Sequence, residues 1–308
     1  MAVTLLAVVA ALVIGHVAQS LAAAMRHYDW YGHWLGWLDA QFPEGSFWRG
    51  RWGVSLALLP PVLAVSLFQV ALHQPLYGLV GLLFAIAVLF YTWGPRDLDL
   101  DIDAIANATD PASRREALLR LWPDGAPSIL DGGAIVSAVF QNALRRWFGV
   151  LFWFLVFGPW GAMLYRLTVL ACEGSFARKL PHETATGART LLKLLDWPVA
   201  QLLTLSLALV GNFDTVLGAW RENGGASFTI DHHFLDAAGR ASVRSELAEE
   251  AADYGDGVDA ATTGAAPVAT IATAAELPEL RDAMSLVWRS LLVWLAVLAL
   301  FVIAGYVA

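Results

Sequence analysis

The sequence predicts an all-α fold: a polytopic helical integral membrane protein with about four to six membrane helical elements and a helical cytoplasmic region. Three observations lead there. Of the 308 residues, 58% are apolar and only 15% charged, and the mean hydropathy is +0.58, outside the usual range of soluble domains. Several uninterrupted apolar runs are each about as long as a hydrocarbon core is thick. No internal repeat and no alternating pattern of the barrel-strand type occurs. With a formal net charge of −8 and 19 Lys+Arg scattered along the chain, no basic face is available for a phosphate backbone, so nucleic acid is excluded as a partner. The single cysteine, Cys172, leaves no internal disulfide framework and no four-cysteine zinc site.

Met1–Met25 is apolar, and its first cation, Arg26, comes after the apolar stretch, which reads as a retained helix rather than a signal peptide. His16 within it is a polar group that packs in the protein interior or titrates. Arg26–Arg51 mixes charges with Trp30, Trp34, Trp37 and Trp48, the composition of a segment lying at a membrane surface. Gly53–Leu72 reads as a span kinked at Pro60-Pro61, and His73-Gln74-Pro75 as the tip of a helical hairpin. Pro75–Trp93 carries no charged side chain, and about 19 residues at ~1.5 Å give roughly 28 Å, a full crossing. Tyr91 and Trp93 then stand at interface level, and Gly94-Pro95 ends the helix.

Arg96, Arg114, Arg115, Arg120, Arg145 and Arg146 make the next connection the most cation-rich, hence cytoplasmic. Asp110-Pro111 has the form of a helix N-cap with proline in the first turn. Ile135, Val136, Val139, Phe140, Ala143, Leu144 and Trp147 form the stripe of an amphipathic helix. Trp147–Tyr165 is apolar but carries Gly158-Pro159, predicting a broken helix, which survives at membrane depth only when buried in protein or lining a wet cavity. A shorter apolar run covers Trp197–Phe213, and both it and 147–165 are expected to be re-entrant or interfacial. Asp214–Arg289 is hydrophilic, and Ser290–Ala308 is again long enough to span. The expected domains are an N-terminal membrane region with its hairpin (1–93), a cytoplasmic or membrane-associated helical core (94–245), a flexible acidic Ala-rich linker (246–285) and a C-terminal membrane helix (286–308).

Asp97, Asp99, Asp101 and Asp103 alternate with Leu98, Leu100 and Ile102. On a strand all four acids share a face, whereas on a helix starting at Pro95 Asp97 and Asp101 stand one turn apart, at the positive end of the dipole. Clustered oxygens there suit a hard cation such as Mg²⁺ as well as a solvated helix start. An arginine near membrane depth, Arg166, with Tyr165 before it, must snorkel, pair with an acid or meet an anionic ligand. Asp231-His232-His233 lacks further ligands at zinc spacing, and no phosphate-binding G-x-x-x-x-G-K-[ST] loop exists.

GPRDLDLDIDA at 94–104, FQNALRRWFGVLFWFLVFGPWGAMLYRL at 140–167 and LLKLLDWPVAQLLTLSLALVGNFD at 191–214 resemble the AmpE family, inner-membrane regulatory proteins of β-lactamase induction, which is itself similar to the CobD/CbiB membrane proteins of cobalamin biosynthesis. The resemblance covers most of the chain. It implies a multi-pass protein of the bacterial inner membrane that signals cell-wall or antibiotic stress, with the lipid bilayer and a membrane or cytoplasmic signalling component as partners. It marks Arg96, Asp97, Asp101, Gln141, Asn142, Tyr165, Arg166 and Asp196 as ligand-binding candidates, with no catalytic residue assigned. Gln201 and Gln141 stand where the cobalamin-type relatives carry an arginine and an acid. The alternatives are an amide-forming ligase of the cobinamide type, using Mg²⁺ or a nucleotide, and a transporter. For the regulatory reading no cofactor is expected.

Overall fold

In the computed structural model, the described residues are 2–17, 24–72, 78–94, 97–123, 125, 127, 131–227, 230–255 and 278–304, and every regular element among them is helical. In chain order these are α1 (Ala2–Val17), α2 (Asp29–Gln41), two short 3₁₀ turns, α3 (Val54–Ala71), α4 (Leu79–Thr92), α5 (Leu98–Ala106), α6 (Pro111–Leu119) and α7 (Gly132–Ala143). A π turn (Leu144–Phe148) leads to α8 (Gly149–Phe157), α9 (Pro159–Cys172), the short α10 (Gly174–Ala177), α11 (His182–Val210), α12 (Phe213–Glu222), α13 (His233–Gly255) and α14 (Pro278–Ile303). Three helical stretches, Arg51–Ala71, His182–Val210 and Pro278–Ile303, are long and apolar enough to cross a membrane. Thr4–Gly15 and Leu79–Thr92 are shorter apolar helices. The turn at His73–Pro75 and the centre of the acidic linker lie outside the described residues.

The chain divides into two compact units. The first comprises Met1–Asp97, Leu144–Val199 and Trp294–Ala308. Its middle is α9, in which Ala162, Met163, Tyr165, Arg166, Leu167, Thr168, Val169, Leu170 and Ala171 are all buried, with α8, α3 and α4 packed around it and α1 against α4. Contacts with α9 are close because small residues face it: a Cβ on Gly149 would lie 2.1 Å from the Tyr165 ring. The second unit comprises Leu98–Ala143 and Ala200–Val293. There α13 lies between α7 and α12. Gly239 lets the Phe140 ring approach to where a Cβ would be 2.3 Å away, and the Arg289 guanidinium donates to Glu246 at 2.6 Å.

The local signals read from the sequence act where they were expected. Asp110 caps α6, accepting from the Ala112 and Ser113 amides at 3.0 and 2.9 Å. The Ser113 hydroxyl and these amides hold the Asp110 carboxyl below its ordinary value. The acidic repeat is helical, and Asp97 immediately precedes α5, so a shared strand face is ruled out for it. Gly158, at φ 75° and ψ −155°, separates α8 from α9, and Pro159 opens the new helix. Trp197–Phe213 is not a separate element: most of it is the second half of α11, which begins at His182 and carries Pro198 inside. Arg189, Lys193 and Asp196 mask that longer helix in a hydropathy window, although the stretch is helical throughout.

Breaking a helix strands backbone groups, and in an apolar setting each needs a partner. Gln69 of α3 meets both sides of the Gly158 break. Its amide nitrogen donates to the Phe157 carbonyl at 3.2 Å, and its amide oxygen accepts the Trp160 N–H at 3.2 Å. We expect Gln69→Ala to lower stability by about 1 kcal/mol, the net worth of hydrogen bonds made at a partly exposed site. Thermal unfolding in detergent measures this.

Candidate functional site

The polar heart of the first unit is built where α4 ends. The last carbonyls of a helix have no partner within it, and Pro95 has no N–H to offer the Tyr91 carbonyl. Three side chains take these positions in succession. Arg26 Nε donates to the Phe90 carbonyl at 2.9 Å, the Tyr28 hydroxyl to that of Tyr91 at 2.6 Å, and Arg166 Nε to that of Thr92 at 2.7 Å. Cations are favoured at the negative end of a helix dipole, which explains why two guanidiniums sit there although Arg26 is 5% and Arg166 1% exposed. The Arg26 guanidinium also lies over the Phe90 ring, 4.7 Å from its centroid. Burial holds the Tyr28 phenol above its ordinary value, so it remains a neutral donor.

The π turn supplies the second layer. Such a turn disturbs the i→i−4 ladder and exposes carbonyls to other donors. Consecutive residues of α9 use them: Arg166 Nη2 donates to the Arg146 carbonyl at 3.2 Å, and the Tyr165 hydroxyl lies 3.5 Å from that of Leu144. Tyr165 also donates to Asp196 Oδ1 of α11 at 2.6 Å. The other Asp196 oxygen faces Arg145 Nε at 3.7 Å, and Arg145 Nη1 pairs with Glu173 at 3.0 Å. Burial disfavours the charge on Arg145, but Glu173 and Asp196 outweigh it and hold the guanidinium above its ordinary value. The sequence candidates Tyr165, Arg166 and Asp196 therefore meet in one buried network.

The remaining candidates fall elsewhere. Arg96 lies outside the described residues. Asp97 is half-buried in the first unit; burial holds the Arg26 guanidinium below its ordinary value, and the charge of Asp97 opposes that in part. Asp101, Gln141 and Asn142 belong to the second unit. Asp101 is fully buried on α5, Gln141 donates to Asp236 of α13 at 2.8 Å, and Asn142 donates to the Leu121 and Ala138 carbonyls, each at 2.8 Å. Among the described residues, no three His, Cys, Asp or Glu side chains gather in a way that could hold a metal ion. Gln201 accepts from the Trp220 indole at 2.8 Å and donates to the Gly225 carbonyl at 2.9 Å, fastening the turn after α12.

Sequence reasoning missed Arg26, Tyr28, Arg145 and Glu173. Arg26 and Tyr28 read as members of an interfacial segment, and Arg145 as the polar face of an amphipathic helix. The one available signal is the pair Arg145-Arg146 directly before an apolar run, since cations at the mouth of a span need partners or water.

A family model described as "Regulatory signalling modulator protein AmpE" matches residues 53–252. The chain is also similar to two proteins named Cobalamin biosynthesis protein CobD. That of Stutzerimonas stutzeri (strain A1501) is 27% identical over 264 residues, 82% of this chain and 83% of the relative. That of Chromobacterium violaceum is 26% identical over 256 residues, 80% of this chain and 78% of the relative. No solved structure matches the chain at a significant level.

Tyr165→Phe leaves a buried carboxylate oxygen without its donor and should cost about 1–3 kcal/mol of stability. Because Tyr165 and Asp196 are in direct contact, their effects should not add. A cycle of Tyr165→Phe, Asp196→Asn and the double variant, followed by unfolding in detergent, is expected to give a coupling of about 0.5–3 kcal/mol.

Proposed function

The chain belongs to the AmpE family, matched over residues 53–252, and from that premise we propose that it acts in the inner membrane as a multi-pass regulatory protein of β-lactamase induction, signalling cell-wall or antibiotic stress. The helical core 94–245 is cytoplasmic or membrane-associated, and a membrane or cytoplasmic component receives the signal from it, with 246–285 as the linker to the last membrane helix. The observation that carries this reading is the bond of Tyr165 to Asp196, together with the commitment of Tyr165 to the π turn and of Arg166 to the end of α4 and the π turn. A network of that kind couples several helices and suits a two-state element that a signal could bias. In this reading Tyr165, Arg166 and Asp196 form the buried element that a signal biases, while Arg96, Asp97, Asp101, Gln141 and Asn142 remain the candidates for contacting a ligand.

The similarity to CobD proteins over about four-fifths of the chain supports a second reading, an amide-forming membrane ligase. There Asp97 or Asp101 would hold a cation, and Arg166 an anionic group of the substrate. The regulatory reading is favoured because both guanidinium groups at the end of α4 already donate to backbone carbonyls.

Deleting the gene and measuring β-lactamase after exposure to an inducing β-lactam tests the first reading. The account expects an altered induced level, restored by the wild-type gene and not by Asp196→Asn. An unchanged response in the deletion strain defeats it. Titration calorimetry of the purified protein with Mg²⁺ and ATP tests the second, and absence of binding removes the ligase.

A further inference from the structure

A groove of about 480 Å³ in the first unit, lined by Trp30, His33, Trp34, Trp37, Pro60 and Pro61, lies apart from the buried network. It arises from the chemistry of proline. Pro60 and Pro61 sit inside α3 and have no N–H, so the carbonyls of Leu56 and Ala57 lose their partners four residues on. The Trp34 indole N–H donates to Ala57 at 3.3 Å, which brings α2 against the kink. Residues 30, 33, 34 and 37 are spaced to share one face of α2. The residues that α2 buries, Tyr31, Leu35 and Leu38, lie on another. Trp34 and Trp37 stack at 5.1 Å with 15° between planes, forming an aromatic wall in which His33 is the only ionisable group.

We infer that this groove seats an acyl chain of a membrane phospholipid. Its proline wall belongs to Arg51–Ala71, one of the three stretches able to cross a membrane. The same helix continues from the groove with Leu59, Leu63, Leu67 and Phe68, which are 51%, 55%, 70% and 59% exposed. The groove is therefore continuous with a surface whose natural medium is hydrocarbon. Trp37, 53% exposed at its edge, has the amphipathic character of an interfacial residue. The groove is open along its length, so an acyl chain would lie along the indoles and proline rings as it does along the rest of the helix.

The test uses the full chain in vesicles of phosphatidylethanolamine and phosphatidylglycerol, doped with a phospholipid that carries a diazirine in its acyl chain. After photolysis, adducts are mapped by mass spectrometry in the wild type and in His33→Trp, which fills the groove from an exposed position of α2. The inference expects adducts at Trp34, Trp37 and Pro60-Pro61 that fall severalfold in His33→Trp, while those on Leu63 and Leu67 stay constant. Equal thermal unfolding of the two proteins shows that the variant folds. Groove adducts unchanged by His33→Trp, no groove adducts at all, or cross-links there between two copies of the chain would overturn it.

Discussion

The first unit depends on how the end of α4 is satisfied. An apolar helix that stops near the membrane surface leaves strongly polar carbonyls where water is scarce, and each one unmet costs more than a typical hydrogen bond contributes. Arg26, Tyr28 and Arg166 answer the carbonyls of Phe90, Tyr91 and Thr92 in turn. Because these donors come from the segment before α2 and from the middle of α9, one helix end fixes the positions of two distant parts of the chain. The indole of Trp30 and the carbonyl of His27 add further ties through the Tyr91 hydroxyl, at 2.7 and 2.8 Å.

The same device recurs at three other irregularities of the unit. Gln69 spans the break at Gly158, Trp34 meets a carbonyl freed by Pro61, and Tyr165 with Arg166 takes up the carbonyls of the π turn. In each case a polar side chain does locally what solvent does elsewhere, as non-helical backbone at membrane depth requires. The buried charges are tolerable for the same reason. Arg145 is flanked by Glu173 and Asp196, and Arg166 by carbonyls, so neither guanidinium is desolvated without hydrogen-bond acceptors. That framework is the physical basis for reading the Tyr165–Asp196 region as one that changes as a unit.

Much of this was legible in the sequence wherever the cause is local. Asp110-Pro111 caps a helix because its own side chain reaches the next amides, and Gly158-Pro159 breaks one because glycine takes a positive φ and proline lacks a donor. The stripe from Ile135 became α7, with Ile135, Val136, Val139 and Phe140 buried. The network was legible only in part, as Tyr165, Arg166 and Asp196 emerged through motif resemblance. Arg26, Glu173 and the π turn were not, because their roles arise from contacts 20 to 64 residues apart in sequence, which no local pattern encodes. The full extent of α11 was hidden for a related reason: its charged first half looks like a connection until the fold shows Arg189 and Lys193 on its exposed face and Asp196 buried against Tyr165.

The most direct test of this account is hydrogen–deuterium exchange of the α4 peptide in Arg166→Leu against the wild type, read by mass spectrometry in detergent. If Arg166 caps the helix, exchange across its last turn, residues 88–92, should rise strongly, while α12 and α13 in the second unit keep their protection. Unchanged protection at the end of α4 in the variant would contradict the account and leave Arg166 as a ligand-facing residue with no structural duty.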